Sequence, residues 1–224
     1  MSSQEQIKIG PFKVFVVKSK RAKSVFLKQN TKGEIILTCP RFCPKKFAIH
    51  FAEGQIPWIR SHIQYGQKET VFHPGEKLSI LGKSYILEHG SVTKVSSKKL
   101  SISGDLEFFH RRVCSYAQKE LLPYIRDKVE YFSQKLGVKP GRITLRNTSS
   151  RWGSCSSTRN LSFCWKIAFA PLNVIDYLVA HEVSHLQQMD HSDKFWNIVD
   201  DLTDLRRPAE KWLKENGRFL QSIR

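Results

Sequence analysis

The run His181-Glu182-Val183-Ser184-His185 constrains this chain more than any other stretch. On an α-helix, side chains four residues apart leave the same face, one turn above the other. Two imidazoles placed that way can serve one metal ion, at the roughly 2.0–2.1 Å that a nitrogen ligand needs. The flanking residues agree with a helix over 172–188. Pro171 suits a first helical turn, and Leu172, Ile175, Val179, Val183 and Leu186 form an apolar stripe close to helical spacing. His181 and His185 fall on a neighbouring stripe. The bland alternative is two core or surface histidines beside an exposed glutamate.

A third histidine favours the chemical reading. His191 follows six residues after His185 and precedes Ser192, a suitable N-cap for a next helix over 193–205. Three protein ligands with one position left open make a catalytic zinc site, whereas a structural site is closed by four. Glu182 would then accept a proton from the attacking water without itself binding metal. A carboxylate is the rival third ligand: Glu210 first, with Asp200, Asp201 and Asp204 behind it. The longer pattern HExxHxxGxxH has glycine where this chain has Gln188, so the helix should run on or turn differently here.

The N-terminal ten residues are polar and no run of about 18 apolar residues occurs, so neither a secretory leader nor a membrane span is expected. Five cysteines, Cys39, Cys43, Cys114, Cys155 and Cys164, are odd in number and irregularly spaced. Reduced thiols in a cytoplasmic protein fit them better than a disulfide framework. The net charge of +17 is uneven. Residues 1–104 hold 18 Lys and Arg against 6 Asp and Glu, a balance of +12, while residues 105–224 hold 19 against 14, or +5. Non-specific nucleic-acid binding through residues such as Lys18, Lys20, Arg21 and Lys23 is one reading of that excess; a solvated basic surface is the other.

Short β-rich runs at 14–18, 24–28 and 34–38, with Lys32-Gly33 as a turn, precede two helical pieces within 45–67. Runs at 77–81 and 84–88 flank a hairpin signal at Gly82-Lys83, and 92–102 supplies further strand. Residues 105–136 are helical by periodicity, with Pro123 expected to kink or divide them and Gly137 able to cap them. Strands at 143–146 and 161–169 follow, the second alternating cleanly. No internal repeat is visible. The fold class is α+β: a basic β-rich domain over 1–104 and a compact metallohydrolase domain over 105–224.

Several segments resemble the YgjP-like metal-dependent hydrolases, relatives of the SprT and WLM zinc peptidases. They are Arg151-Trp152-Gly153-Ser154-Cys155-Ser156, Phe163-Cys164-Trp165, Asp176-Tyr177-Leu178-Val179-Ala180-His181-Glu182-Val183-Ser184-His185 and His191-Ser192-Asp193-Lys194-Phe195-Trp196. Arg21-Ala22-Lys23-Ser24 and the Pro40 region are similar to that family's front half. The resemblance implies Zn2+ held by His181, His185 and His191, with Glu182 as general base, in a zincin-like C-terminal domain with an HExxH helix. It leaves a peptide or protein substrate, a phosphorylated nucleotide cleaved by the same machinery, and a protease recruited to DNA as alternatives. Arg151 would either stabilise developing charge or sit in a structural turn in which Gly153 adopts an unusual backbone angle. Cys155 is superfluous as a ligand, Tyr177 packs or donates to an oxyanion, and Trp165 and Trp196 anchor the core.

Overall fold

The computed structural model describes residues 5–30, 33–63 and 69–224. By packing, the chain divides into Met1–Lys68 and Glu69–Arg224. The first unit holds four strands, β1 (Glu5–Ile9), β2 (Phe12–Ser19), β3 (Phe26–Gln29) and β4 (Ile35–Pro40), in the sheet order β1-β2-β4-β3. β1 and β2 form a hairpin across Gly10-Pro11, with Ile9 opposite Phe12 and Gly10 at φ 57°. β2 and β4 run parallel, and β3 returns antiparallel to β4. Alternation puts Ile7, Ile9, Val14, Val16, Leu27, Ile35, Leu37 and Cys39 on one face. Helices α1 (Lys45–Gly54) and α2 (Ile56–Ile63) supply Ala48, Ala52 and Ile59 to that core. β1 falls in the stretch that sequence reading left as polar. The tails of two expectations, Lys32 in the turn and 64–67 in the helical region, lie outside the described residues.

The second unit repeats the strand order. β5 (Lys77–Ile80), β6 (Lys83–Gly90), β7 (Lys94–Ser96) and β8 (Lys99–Ser103) form a sheet ordered β5-β6-β8-β7. Its tight turn is Leu81-Gly82, both at positive φ (48° and 71°), which only glycine adopts without strain. Leu78, Ile80, Leu87, Leu100 and Ile102 are buried with Phe109, Val113 and Ala117 of α3 (Phe109–Leu136) in one core. Spacing suggested a division at 104/105, but these strands have their apolar partners on the C-terminal helices. The packing boundary is therefore 68/69.

α3 is not divided. Pro123 sits inside it on the solvent side, as does Lys119, whose carbonyl loses its helical partner and can turn to water. Gly137 closes the helix at φ 64°. β9 (Ile143–Arg146), β10 (Gly153–Cys155) and β11 (Leu161–Cys164) form a small sheet, order β10-β11-β9, in which β10 is an edge. The expected strand over 161–169 stops at Cys164. Residues Trp165–Phe169 form a 3-10 turn in which all five are buried, including Lys166, whose Nζ donates to the Gln221 carbonyl at 3.0 Å. Alternation of polar and apolar residues there does not mark a wet face.

Three helices complete the unit: α4 (Leu172–Ser184), α5 (Asp193–Leu202) and α6 (Arg206–Ser222). α4 lies in the core on α3, with Val174, Ile175, Val179, Ala180 and Val183 buried. Asp176 on α4 ties the pair, accepting from Tyr124 Oη at 2.6 Å and Lys128 Nζ at 2.8 Å on α3. No helix among the described residues is long and apolar enough to cross a membrane.

Candidate metal centre

His181 and Glu182 occupy the last turn of α4, and His185 is its C-cap residue at φ −64°, ψ −18°. The helix ends four residues before the expected 188. A turn through Gln187 follows, and the chain reaches His191 just before α5. Asp190 shapes that corner: its Oδ1 accepts from Gln188 Nε2 and from the Ser192 amide, both at 3.0 Å. Ser192, first through its side chain, and Gln188 hold its carboxyl well below the usual range, at about 2.

The corner brings the three histidines together. One ring nitrogen from each of His181, His185 and His191 lies within 4.8 Å of the others. His181 Nε2 and His191 Nε2 are 3.2 Å apart. His185 Nδ1 donates to the Gln188 carbonyl at 3.0 Å, which leaves its Nε2 as the lone-pair nitrogen. Burial, then the neighbouring His185 and His191, pushes the His181 pKa down to about 3, and burial also lowers that of His185. Those two imidazoles are thus favoured in the neutral form, the one that binds metal.

Phe195 on α5 is the floor of the cluster and was missed as such from sequence. It is fully buried, stacks on the His185 ring at 4.4 Å, and meets the His181 and His191 rings edge-on at 4.9 and 4.8 Å. Trp196 lies 5.7 and 5.6 Å from the same two rings and carries the Arg206 guanidinium over its face at 3.5 Å. The only signal for Phe195 was its place four residues after His191, one turn into the next helix.

Glu210 does not join the three nitrogens. Its Oε1 accepts from Tyr177 Oη at 2.9 Å and faces Arg206 Nε at 3.4 Å. Asp200 also faces Arg206, at 3.7 Å. Burial and the bond to Glu210 push the Tyr177 hydroxyl far up, so it stays protonated. Its ring lies against His181 at 5.9 Å, in the packing role.

Glu182 is 5% exposed, and its Oε2 has no hydrogen-bond partner among the described residues. Burial pushes its pKa up to about 8, against the opposing pull of the Arg151 guanidinium. Its side chain lies against Gly153: a Cβ there would come within 2.6 Å of Glu182 Cγ and 2.7 Å of Cδ. Gly153 is therefore required for close approach. The unusual backbone angle expected of it is not seen, since it lies in the strand β10 and is not among the positive-φ glycines.

A pocket of about 340 Å³ opens over the cluster, lined by Arg151, Gly153, Ser154, Cys155, His181, Glu182, His185, Met189 and His191. Arg151 is exposed and does face this cleft. It is the one permanent cation of that lining, so the pocket lends no support to a polyanionic nucleotide substrate. Burial and the nearby Glu182 raise the Cys155 thiol, which argues against a thiolate ligand or nucleophile. Trp152 points away from the pocket side of β10, packing on Gly217 of α6 at a distance that leaves a Cβ only 3.2 Å from its ring. Trp165 is buried in the core, as expected.

The family model of the YgjP-like metallopeptidase domain matches residues 23–216. Among solved structures, the metallopeptidase zymogen of Pyrococcus abyssi abylysin is similar over 45% of this chain and 99% of its own, at 17% identity and a TM-score of 0.38. The zymogen of Methanocaldococcus jannaschii jannalysin is similar over 42% of this chain and 96% of its own, at 20% identity and a TM-score of 0.36. No curated protein matches the chain.

Proposed function

The chain belongs to the YgjP-like metallopeptidase family, and on that premise we propose that it is a zinc-dependent peptidase that binds its metal through His181, His185 and His191 and uses Glu182 as general base. Membership makes it a metal-dependent hydrolase and implies a divalent ion. The observation that carries the finer reading is the meeting of three imidazoles with a buried carboxylate, one of whose oxygens is unpartnered, at one pocket. Two Nε2 atoms 3.2 Å apart cannot both keep free lone pairs without a shared proton or cation, so the donor set fits an ion. All-nitrogen ligation with an open side suits zinc. When bound, zinc polarises a carbonyl and acidifies water.

The residues of the chain do the rest. Phe195 fixes the ring planes from below, and the Gln188 carbonyl fixes the His185 tautomer. Glu182, destabilised as an anion by burial, is a stronger base than an exposed carboxylate once ionised. Burial raises its affinity for a proton in the metal-free protein, which suits a group that must accept one from water and deliver it to a leaving amine. Arg151, exposed at the pocket rim, is placed to meet negative charge that develops on a substrate oxygen. An extended peptide could add to the free edge of β10 through main-chain bonds.

Metal analysis tests the ligand set. The purified protein should hold one zinc per chain, and His185→Ala and His191→Ala should each lose it, while Glu210→Ala retains it. Release by the Glu210 change and retention by the His191 change would overturn the assignment.

A further inference from the structure

Six cations and the exposed rings of Phe26, Phe42 and Phe47 gather at one end of the first unit's sheet. Because β2 and β4 are parallel, with Ser19 opposite Pro40, their C-terminal ends coincide, and β3, with Phe26 opposite Thr38, begins there. Three segments therefore meet at that end. The β2–β3 loop carries Lys20, Arg21 and Lys23, and its start is fixed by Ser19 Oγ, which accepts from the Arg21 and Ala22 amides at 3.2 and 3.3 Å. A tight turn closed by the Cys43 amide on the Pro40 carbonyl at 3.0 Å puts Arg41 and Phe42 at its tip. The first turn of α1 follows with Lys45, Lys46 and Phe47.

Neither folding nor solubility accounts for this composition. Phe42 is 90% exposed, Phe47 58% and Phe26 40%, three large apolar side chains left in water on a small unit. Lys45 and Lys46 sit at a helix N-terminus, where the helix dipole disfavours cations, and no acidic residue accompanies them in that turn. Among the described residues, Lys45 alone of these cations is ion-paired, to Glu5. Residues 1–68 hold 13 Lys and Arg against 3 Asp and Glu. Arg41 already lies over the Phe42 ring at 5.7 Å, an arrangement that leaves the other face of the ring free for a flat partner.

We propose that this end of the sheet binds single-stranded nucleic acid, with the cations meeting phosphates and Phe42, Phe26 and Phe47 stacking bases. Basic side chains interleaved with exposed rings are what a sequence-tolerant single-strand site requires, because every base has a π-face. A flexible strand also suits the placement of the rings. Phe26 lies on the sheet face opposite the helices, since Leu27 beside it faces their core, while Phe47 lies on α1. A strand can follow them around the sheet end; a planar bilayer touches one side.

Fluorescence anisotropy of the full-length protein with labelled oligothymidylate, at several salt concentrations, tests the proposal. Binding should be detectable at low salt, tighter than to a duplex of equal length, and weaken steeply as salt rises. Phe42→Ala, which removes an exposed ring and leaves the core intact, should weaken it about tenfold with little change in salt slope. A Lys20→Glu, Arg21→Glu double variant should weaken it and flatten the slope. Absence of binding at low salt would overturn the proposal. So would equal affinity for duplex and single strand with no effect of Phe42→Ala, the result of a merely charged surface. Capture by phosphatidylserine vesicles that depends on Phe42, with oligothymidylate unaffected, would assign the surface to a membrane instead.

Discussion

The sheet β1-β2-β4-β3 and the sheet β5-β6-β8-β7 are the same arrangement built twice: two hairpins joined through parallel inner strands. Each opens with a two-residue turn, and each is followed by helix. What differs is where the apolar face goes. The first sheet spends it on its own helices α1 and α2 in a separate core. The second spends it on α3, which in turn carries α4 and its histidines. A sheet in this chain is thus structural support for the histidine cluster when it lends its face to α3. It is a self-contained basic unit when it does not.

Truncation should break this contrast most severely. A chain beginning at Glu69 should melt cooperatively and keep its metal. One beginning at Asp105 loses Leu78, Ile80, Leu87, Leu100 and Ile102 from the core and should not fold. Cooperative melting of the 105–224 fragment by circular dichroism would place the second sheet outside the catalytic unit.

Single core deletions sharpen the same point. Leu37 and Leu100 are both 0% exposed, one in each sheet. Either change to alanine should cost about 2–5 kcal/mol in denaturant unfolding. Leu100→Ala should also lower the midpoint for metal retention and activity together. Leu37→Ala should leave both in place, and a loss of metal in that variant would show the units to be energetically coupled.

Gly153→Ala acts on the site without touching either sheet. The added Cβ displaces Glu182, so kcat should fall by on the order of 10²-fold at unchanged zinc content. Normal turnover would mean that Glu182 need not lie where it does.

The smallest effect is on pH dependence, and it belongs to the second unit alone. In metal-free protein the His181 pKa is lowered to about 3, so its stabilising contribution is present above the ordinary value and is lost as pH falls below it. The Glu182 pKa is raised to about 8, so its contribution is present at acid pH and is lost as pH rises to that value. The two oppose each other near pH 5 to 6. Stability of the second unit should therefore be greatest there, falling by roughly 1.4 kcal/mol per pH unit on either side until each folded pKa is passed. A melting curve of metal-free protein that is flat from pH 3 to 8 would contradict this origin.

The histidine cluster was largely legible because its information is local. Two histidines four apart on an apolar-striped helix, and a third just before the next helix, fix most of the geometry by spacing. Phe195 and Gly153 were not legible, because their roles depend on which surfaces meet: a ring beneath the imidazoles, and a backbone pressed against Glu182. The domain boundary was misplaced because β5 to β8 alternate just as β1 to β4 do. Alternation reports that one face is buried, not which helix buries it. The repeated topology escaped notice for a related reason, since hairpin order is set by long-range pairing and the two sheets share no evident sequence pattern. The strand expected over 161–169 failed where both faces are buried and period two loses its meaning.

The measurement that bears most directly on the central claim is turnover of a peptide substrate by Glu182→Gln, with zinc content determined on the same sample. Glutamine keeps the size of the side chain and the contact with Gly153 but cannot accept the proton. The account predicts full zinc content, an unchanged fold and a kcat reduced by about 10²–10⁴-fold with KM little altered. Near wild-type turnover with zinc in place would contradict it, and would remove Glu182 from the reaction.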